Sequence, residues 1–113
     1  MNINDKVNYL SLDETTALEH AKLYAQLVGE QLHPLKIVLF GSYANGNHTI
    51  NSDIDIAVIV NKIDGDFLLL SKRLNKFTRN IDSRIEPVLI QKDEDRSGFL
   101  STILKTGITL YQK

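Results

Sequence analysis

Asp53 and Asp55 stand two apart in the run Asp53-Ile54-Asp55-Ile56-Ala57-Val58-Ile59-Val60. In an extended strand, residues two apart project from one face. Two carboxylates placed that way suit a hard divalent cation. Mg2+ takes oxygen ligands and keeps waters and substrate phosphates in its shell. A pair of such ions can hold the attacking and leaving oxygens of an in-line phosphoryl displacement. The plainer reading is a pair of acids that begins a strand at the solvent edge. Asp is depleted in strands, however, and like charges on one face repel. The pair therefore calls for positive charge between its members.

Gly41-Ser42 closes the preceding apolar run, Lys36-Ile37-Val38-Leu39-Phe40, and ten residues separate it from Asp53. A glycine there lets the backbone approach a bulky ligand. A serine at a strand-to-helix turn offers its hydroxyl and nearby N–H groups to phosphate oxygens. By itself a Gly-Ser is an ordinary tight turn. A glycine turn ending one strand and an acid pair starting the next form a more specific combination. Glu86, in Arg84-Ile85-Glu86-Pro87-Val88, is the third element. It can serve as a third carboxylate, a metal ligand or the group that takes a proton from an attacking hydroxyl. It can equally pair with Arg84, two residues away on the same face. Spacing leaves both readings open.

The elements that must position these residues follow from periodicity and punctuation. Ser11-Leu12-Asp13-Glu14 has capping-box spacing and predicts a helix start. Ala17, Ala21, Tyr24, Ala25, Val28 and Leu32 recur at helical spacing, and Pro34 stops the helix. Lys36 to Phe40 predicts a buried strand, with a helical turn near Ser42 and turn chemistry from Tyr43 to Asn51. Asp53 to Val60 predicts a second strand. Asp64-Gly65-Asp66 opens a second helix with Phe67, Leu70, Leu74, Phe77 and Ile81 on one stripe. Arg84 to Ile90 predicts a third strand, where Pro87 suggests an edge or a bulge. Asp93-Glu94-Asp95 has the charge of a helix N-terminus, followed by Phe99, Leu100, Ile103 and Leu104. Lys105 and Gly107 suit the end of that helix, with Gly107 as the C′ residue. Ile108 to Tyr111 predicts a last short strand.

The chain has 113 residues, which is one domain's worth, 1–113, without repeats or linkers. Thirteen Lys and Arg against fourteen Asp and Glu leave a net charge of −1, without the basic excess of a duplex-wrapping protein. There is no cysteine, so disulfides, thiolate zinc sites and cysteine nucleophiles are excluded. His20, His33 and His48 share no metal-ligand spacing. No basic segment followed by an apolar run opens the sequence, and no apolar stretch reaches a membrane span's ~18 residues. A cytoplasmic location is the expectation. Lys72, Lys76 and Arg79, with Arg73 alongside, form either a solvated polar face or a docking face for an acidic partner or RNA. Tyr43 reads as a loop anchor and His48 as an exposed loop residue.

Gly41-Ser42, ten residues, Asp53-Ile54-Asp55, behind a helix and an apolar strand, resembles the minimal nucleotidyltransferases of the DNA polymerase β-like superfamily. Glu86-Pro87 and the tail Phe99-Leu100 … Ile103-Leu104-Lys105-Thr106-Gly107-Ile108 are similar to its small single-domain members. The resemblance implies an α+β nucleotidyltransferase fold, a small mixed sheet with helices packed on it. It implies transfer of a nucleoside monophosphate from ATP or another NTP to a hydroxyl, with release of pyrophosphate. Gly41 and Ser42 would hold the β- and γ-phosphates. Asp53, Asp55 and Glu86 would be the catalytic, metal-binding carboxylates for two Mg2+ ions, with Mn2+ as an alternative. Family members of this size are often encoded beside a small helical HEPN protein, a ribonuclease toxin. There the nucleotidyltransferase is the antitoxin and attaches AMP to a toxin tyrosine. Many members read Gly-Ser-x-Ala-Arg-Gly, whereas Tyr43-Ala44-Asn45-Gly46 places Asn45 where Arg is frequent. Asn brings no cation to a phosphate.

Three functions stay open on this evidence. The leading one is an Mg2+-dependent transferase acting on a protein hydroxyl, as the antitoxin of such a pair. A second is transfer to a small-molecule hydroxyl. A third is a catalytically weak module that neutralises its partner by binding alone. Whether the chain works as a homodimer or in a hetero-oligomer is equally open.

Overall fold

The computed structural model describes residues 3–49, 51–63, 65–94 and 97–113, with side chains from residue 13 onward. Helix α1 spans Ile3–Leu32. Ala17, Ala21, Tyr24, Ala25 and Val28 form its buried stripe. The helix starts at Ile3, so Ser11 to Glu14 lies inside it and does not begin it; the Ser11 side chain is outside the described residues. The end is as expected: His33 turns left-handed with φ 48° and donates its N–H to the Gly29 carbonyl just before Pro34.

Strand β1 is Lys36–Phe40 and β2 is Ile54–Val60. Between them Ser42–Asn45 forms a single helical turn, α2. Helix α3 is Phe67–Phe77, capped by Asp66, whose carboxylate accepts from the Leu68 N–H; Asp64 lies outside the described residues. Strand β3 is Ile85–Gln91, helix α4 is Phe99–Thr106, and β4 is Ile108–Gln112. Asp93 and Glu94 do not open α4, as their charge suggested. They sit in a separate 3-10 turn, Lys92–Glu94, and α4 begins after Gly98. Asp95 lies outside the described residues.

Among the described residues the strands form one mixed sheet in the order β3-β2-β1-β4. β1 runs antiparallel to β2 and β4, while β2 and β3 are parallel across the α3 crossover. Pro87 sits on an edge strand, where a missing N–H costs no ladder bond on the open side. Ile37, Leu39, Ile54, Ile56, Val58, Ile85 and Leu89 face the layer of α1 and α3. Val38, Ala57 and Ile59 face the short α4 through Leu100 and Ile103. The Tyr24 hydroxyl donates to the Leu74 carbonyl at 2.8 Å and ties α1 to α3. Among the described residues no helix is long and apolar enough to cross a membrane.

Gly107 ends α4, as the sequence suggests, with φ −84° and its N–H donated to the Ile103 carbonyl. It is needed for room: a β-carbon there would press on Val38 Cγ1 and on the carbonyls of Ile103 and Leu39. The chain therefore turns from α4 into β4 in contact with the sheet.

Candidate active site

The alternation of β2 decides where the acids point. Ala57 and Ile59 face α4, so by the two-residue period Asp55 and Asp53 belong to that face. Asp53 precedes the strand and is exposed, whereas Asp55 is half-buried. The β2–β3 register places Glu86 beside Asp55. Ile85 and Leu89 face the opposite layer, so Glu86 shares the acids' face. The eight-residue α4 covers the middle of this face and leaves the acidic end open. At its start Phe99 packs edge-on against Phe40, with centroids 5.6 Å apart.

The β1–β2 register sets Phe40 opposite Asp55, so the turn after β1 must pass over that carboxylate. Gly41 makes this passage with φ 76° and ψ −151°, a conformation open essentially to glycine alone. A β-carbon at position 41 would collide with Asp55 Oδ2. The Gly41 carbonyl then accepts from the N–H groups of Ala44 and Asn45 and closes α2. As at any helix start, the first amides lack acceptors within the turn.

Two of these carboxylates are shifted by their surroundings. Burial first, and the charge of Asp53 second, push the Asp55 pKa above its ordinary value. A hydrogen bond shared with Asp53, then the charges of Asp53 and, more weakly, Asp55, push Glu86 up. The alternative pairing of Glu86 with Arg84 is not made. Arg84 instead bonds the Asp82 carboxylate at 3.0 Å and Asp13 at 3.2 Å. Among the described residues no cation is paired with the acid cluster. Hard oxygen donors in surplus fit a divalent ion such as Mg2+. As the side chains stand, no group of three His, Cys, Asp or Glu among the described residues is drawn into metal-holding geometry.

Arg84 has a different place in the site, one that sequence spacing did not indicate. Its Nη1 donates to the Tyr43 hydroxyl at 3.0 Å, and that hydroxyl donates to Asp13 at 3.1 Å. Tyr43 is the second residue of α2, so α1, α2 and the approach to β3 are tied at one point. Asp82 binds Arg84 and accepts from His20 at 2.9 Å. Burial alone would raise Asp82, but the hydrogen bonds from Arg84 and His20 outweigh it and hold the carboxyl at about 2. Burial and the Asp13 bond push the Tyr43 phenol up. Tyr43 is the loop anchor expected of it. His48 departs from expectation: it is half-buried and stacks on Tyr43 at 4.3 Å. The signal was weak, because its carriers span seventy residues.

Residues 22–113 match the family model described as Polymerase beta, Nucleotidyltransferase. The chain is 38% identical over 78 residues to a Methanocaldococcus jannaschii protein named "Putative protein adenylyltransferase", covering 67% of this chain and 77% of that one. A crystal structure titled as a "putative nucleotidyltransferase" from Sulfolobus solfataricus superposes with a TM-score of 0.67 at 20% identity. That match covers 89% of this chain and 85% of the other, and it establishes the likeness of fold.

Proposed function

The chain belongs to the polymerase beta nucleotidyltransferase family, and on that footing we propose that it transfers AMP from ATP to a hydroxyl of a protein partner. The observation that carries this reading is the convergence of the Gly41-Ser42 turn with Asp55 and Glu86 at one open end of the sheet. The relative named as a protein adenylyltransferase supports the choice of nucleotide and of a protein acceptor.

In this proposal Asp53, Asp55 and Glu86 would hold Mg2+, with Mn2+ as an alternative, and the ion when bound supplies positive charge to the triphosphate. The Gly41-Ser42 turn holds the β- and γ-phosphates through its amides and the Ser42 hydroxyl. The acceptor oxygen bonds to the α-phosphorus as the bond from that phosphorus to pyrophosphate breaks. The acceptor's proton passes to a Glu86 carboxylate oxygen, which is exposed on the side a partner can approach. Positioning and charge do the work, and no covalent enzyme intermediate is needed. The partner we infer is a small helical HEPN-type protein with an acceptor tyrosine, which makes this chain the antitoxin of a pair.

Label transfer tests the reading. The chain, Mg2+ and each α-labelled NTP are incubated in a lysate of the host, beside Asp55→Asn. A labelled protein band that requires Asp55 and appears with ATP supports it. Labelling of small molecules alone would replace the protein acceptor with a small-molecule one.

Asn45 favours a second reading. It is exposed at the end of α2 and brings no cation to the phosphate turn. A module that neutralises by binding alone would tolerate Asp53→Asn with Asp55→Asn. Loss of neutralisation in that folded double variant rejects it.

A further inference from the structure

Four of the thirteen Lys and Arg fall within residues 72–79, a span with no Asp or Glu. Helix α3 turns Leu70, Leu74 and Phe77 to the core. Lys72 and Lys76 lie exposed one helical turn apart on its outer side, and exposed Arg79 follows just past its end. With Asn75 they line a shallow groove of ≈ 380 Å3. Among the described residues none of these three cations is in an ion pair. Arg73 lies beside them, over the Phe77 ring at 5.6 Å. Leu68 and Leu69 continue the stripe one turn earlier and are 67% and 65% exposed. A face that is merely solvated mixes both signs of charge and does not end in two bare leucines.

The stripe also has a direction. Residues 78–84 fold back tightly, with the Ile81 N–H on the Thr78 carbonyl and the Ile85 N–H on the Asp82 carbonyl. They lead into the start of β3, where Glu86 meets Asp55. The basic end of the stripe therefore lies at the catalytic end of the sheet, and the apolar end points away.

We propose that the outer stripe of α3 docks an acidic amphipathic helix of the acceptor protein, a step that rests on the protein-transfer reading. Acids at four- and three-residue spacing meet Lys72, Lys76 and Arg79, and an apolar residue one turn further covers Leu68 and Leu69. A nucleic acid fits less well. The charged part is only ~10 Å long at the helical rise. Its ring, Phe77, is half-buried beneath Arg73 and gives no free stacking platform.

The test uses the full chain and two exposed-site variants, Lys72→Glu/Lys76→Glu/Arg79→Glu and Leu68→Ser/Leu69→Ser, with folding checked by circular dichroism. The probes are a helical peptide of about five turns with Glu at those spacings beside a leucine pair, its Lys-for-Glu counterpart, and an oligouridylate of equal charge. The expected result is salt-sensitive binding of the acidic peptide, weakened about tenfold by the charge reversal and also weakened by the serine variant. Tighter binding of the oligouridylate, lost on charge reversal, overturns the proposal in favour of an RNA face. Failure of the acidic peptide to bind, or equal binding to the charge-reversed chain, also overturns it. In label transfer the charge reversal should raise the acceptor KM about tenfold and leave kcat and ATP affinity unchanged. If the wild-type chain labels no protein, the transfer reading and the acceptor's identity fall together. The peptide titration then decides the docking face by itself.

Discussion

Gly41 passes so close over Asp55 that a β-carbon at position 41 would strike the Asp55 carboxylate. The phosphate turn and the metal-binding acid of the proposed mechanism are thus one structural unit. A change in either displaces the other. Gly41→Ala combines this collision with a φ of 76°. It should lower stability by about 1–3 kcal/mol and reduce transfer on the order of 100-fold. Urea unfolding beside label transfer checks both, and wild-type transfer by a folded Gly41→Ala variant would refute the coupling.

Asp55→Asn should abolish label transfer and yet stabilise the fold at pH 7. Burial and Asp53 raise the pKa of Asp55, so just above 3.8 the folded protein keeps a proton that the unfolded chain releases, and at higher pH the ionised carboxylate costs the folded state. That group's contribution falls as pH rises through the interval above 3.8. The advantage of Asn over Asp should therefore be present at pH 7 and vanish below pH 3.8, where both side chains are neutral. Thermal melts of both proteins across that range decide it.

Asp82 has the opposite sign. Its carboxyl titrates near 2, below its ordinary 3.8. The stability it contributes is complete above 3.8 and is lost as pH falls towards 2. Asp82→Asn should be less stable than wild type at neutral pH and should lose less on acidification through that window. An equal acid loss in both proteins would remove Asp82 from the account.

Mg2+ should raise the unfolding midpoint of the wild-type chain, because an ion that binds only the folded carboxylate cluster stabilises by mass action. Asp53→Asn/Asp55→Asn should show no such rise, and chelation should reverse it. A rise of equal size in the double variant would place the ion elsewhere.

Arg84→Lys keeps the charge but not the planar fork that reaches Asp82, Asp13 and Tyr43 together. α2 then loses its anchor. The expected result is a rise of about tenfold in the KM for ATP with a smaller change in kcat. Tyr43→Phe, which removes only the hydroxyl, should cost about 0.5–1.5 kcal/mol of stability. An unchanged KM in Arg84→Lys would mean that the network holds the fold and not the turn.

Local chemistry carried much of this protein into view. The apolar run Lys36 to Phe40 forms the strand it predicts, because a short β-branched and aromatic run between a proline and a glycine has few alternatives. Asp66 caps α3 because its carboxylate meets the free Leu68 amide a few atoms away. Asp53 and Asp55 share a face because strand geometry alternates with a period of two. Each outcome depends on neighbours within a few residues.

Relations between distant segments were decided by the tertiary structure. Spacing offered Arg84 a pairing with Glu86 and left it open, whereas the fold turns Arg84 to Asp82. Asp13 and Tyr43 decided the choice, arriving from α1 and α2 to hold the guanidinium towards Asp82. Glu86 was thereby left to the acid pair, beside Asp55 by the parallel register of β2 and β3. Gly107 ends α4, as its place behind Lys105 suggested, but the fold also makes it a point of contact with Val38 and Leu39, residues nearly seventy positions away. Backbone propensity and alternation are local energies, so sequence expresses them directly. Packing distance and charge pairing depend on which segments the fold brings together, and only the folded chain contains that information.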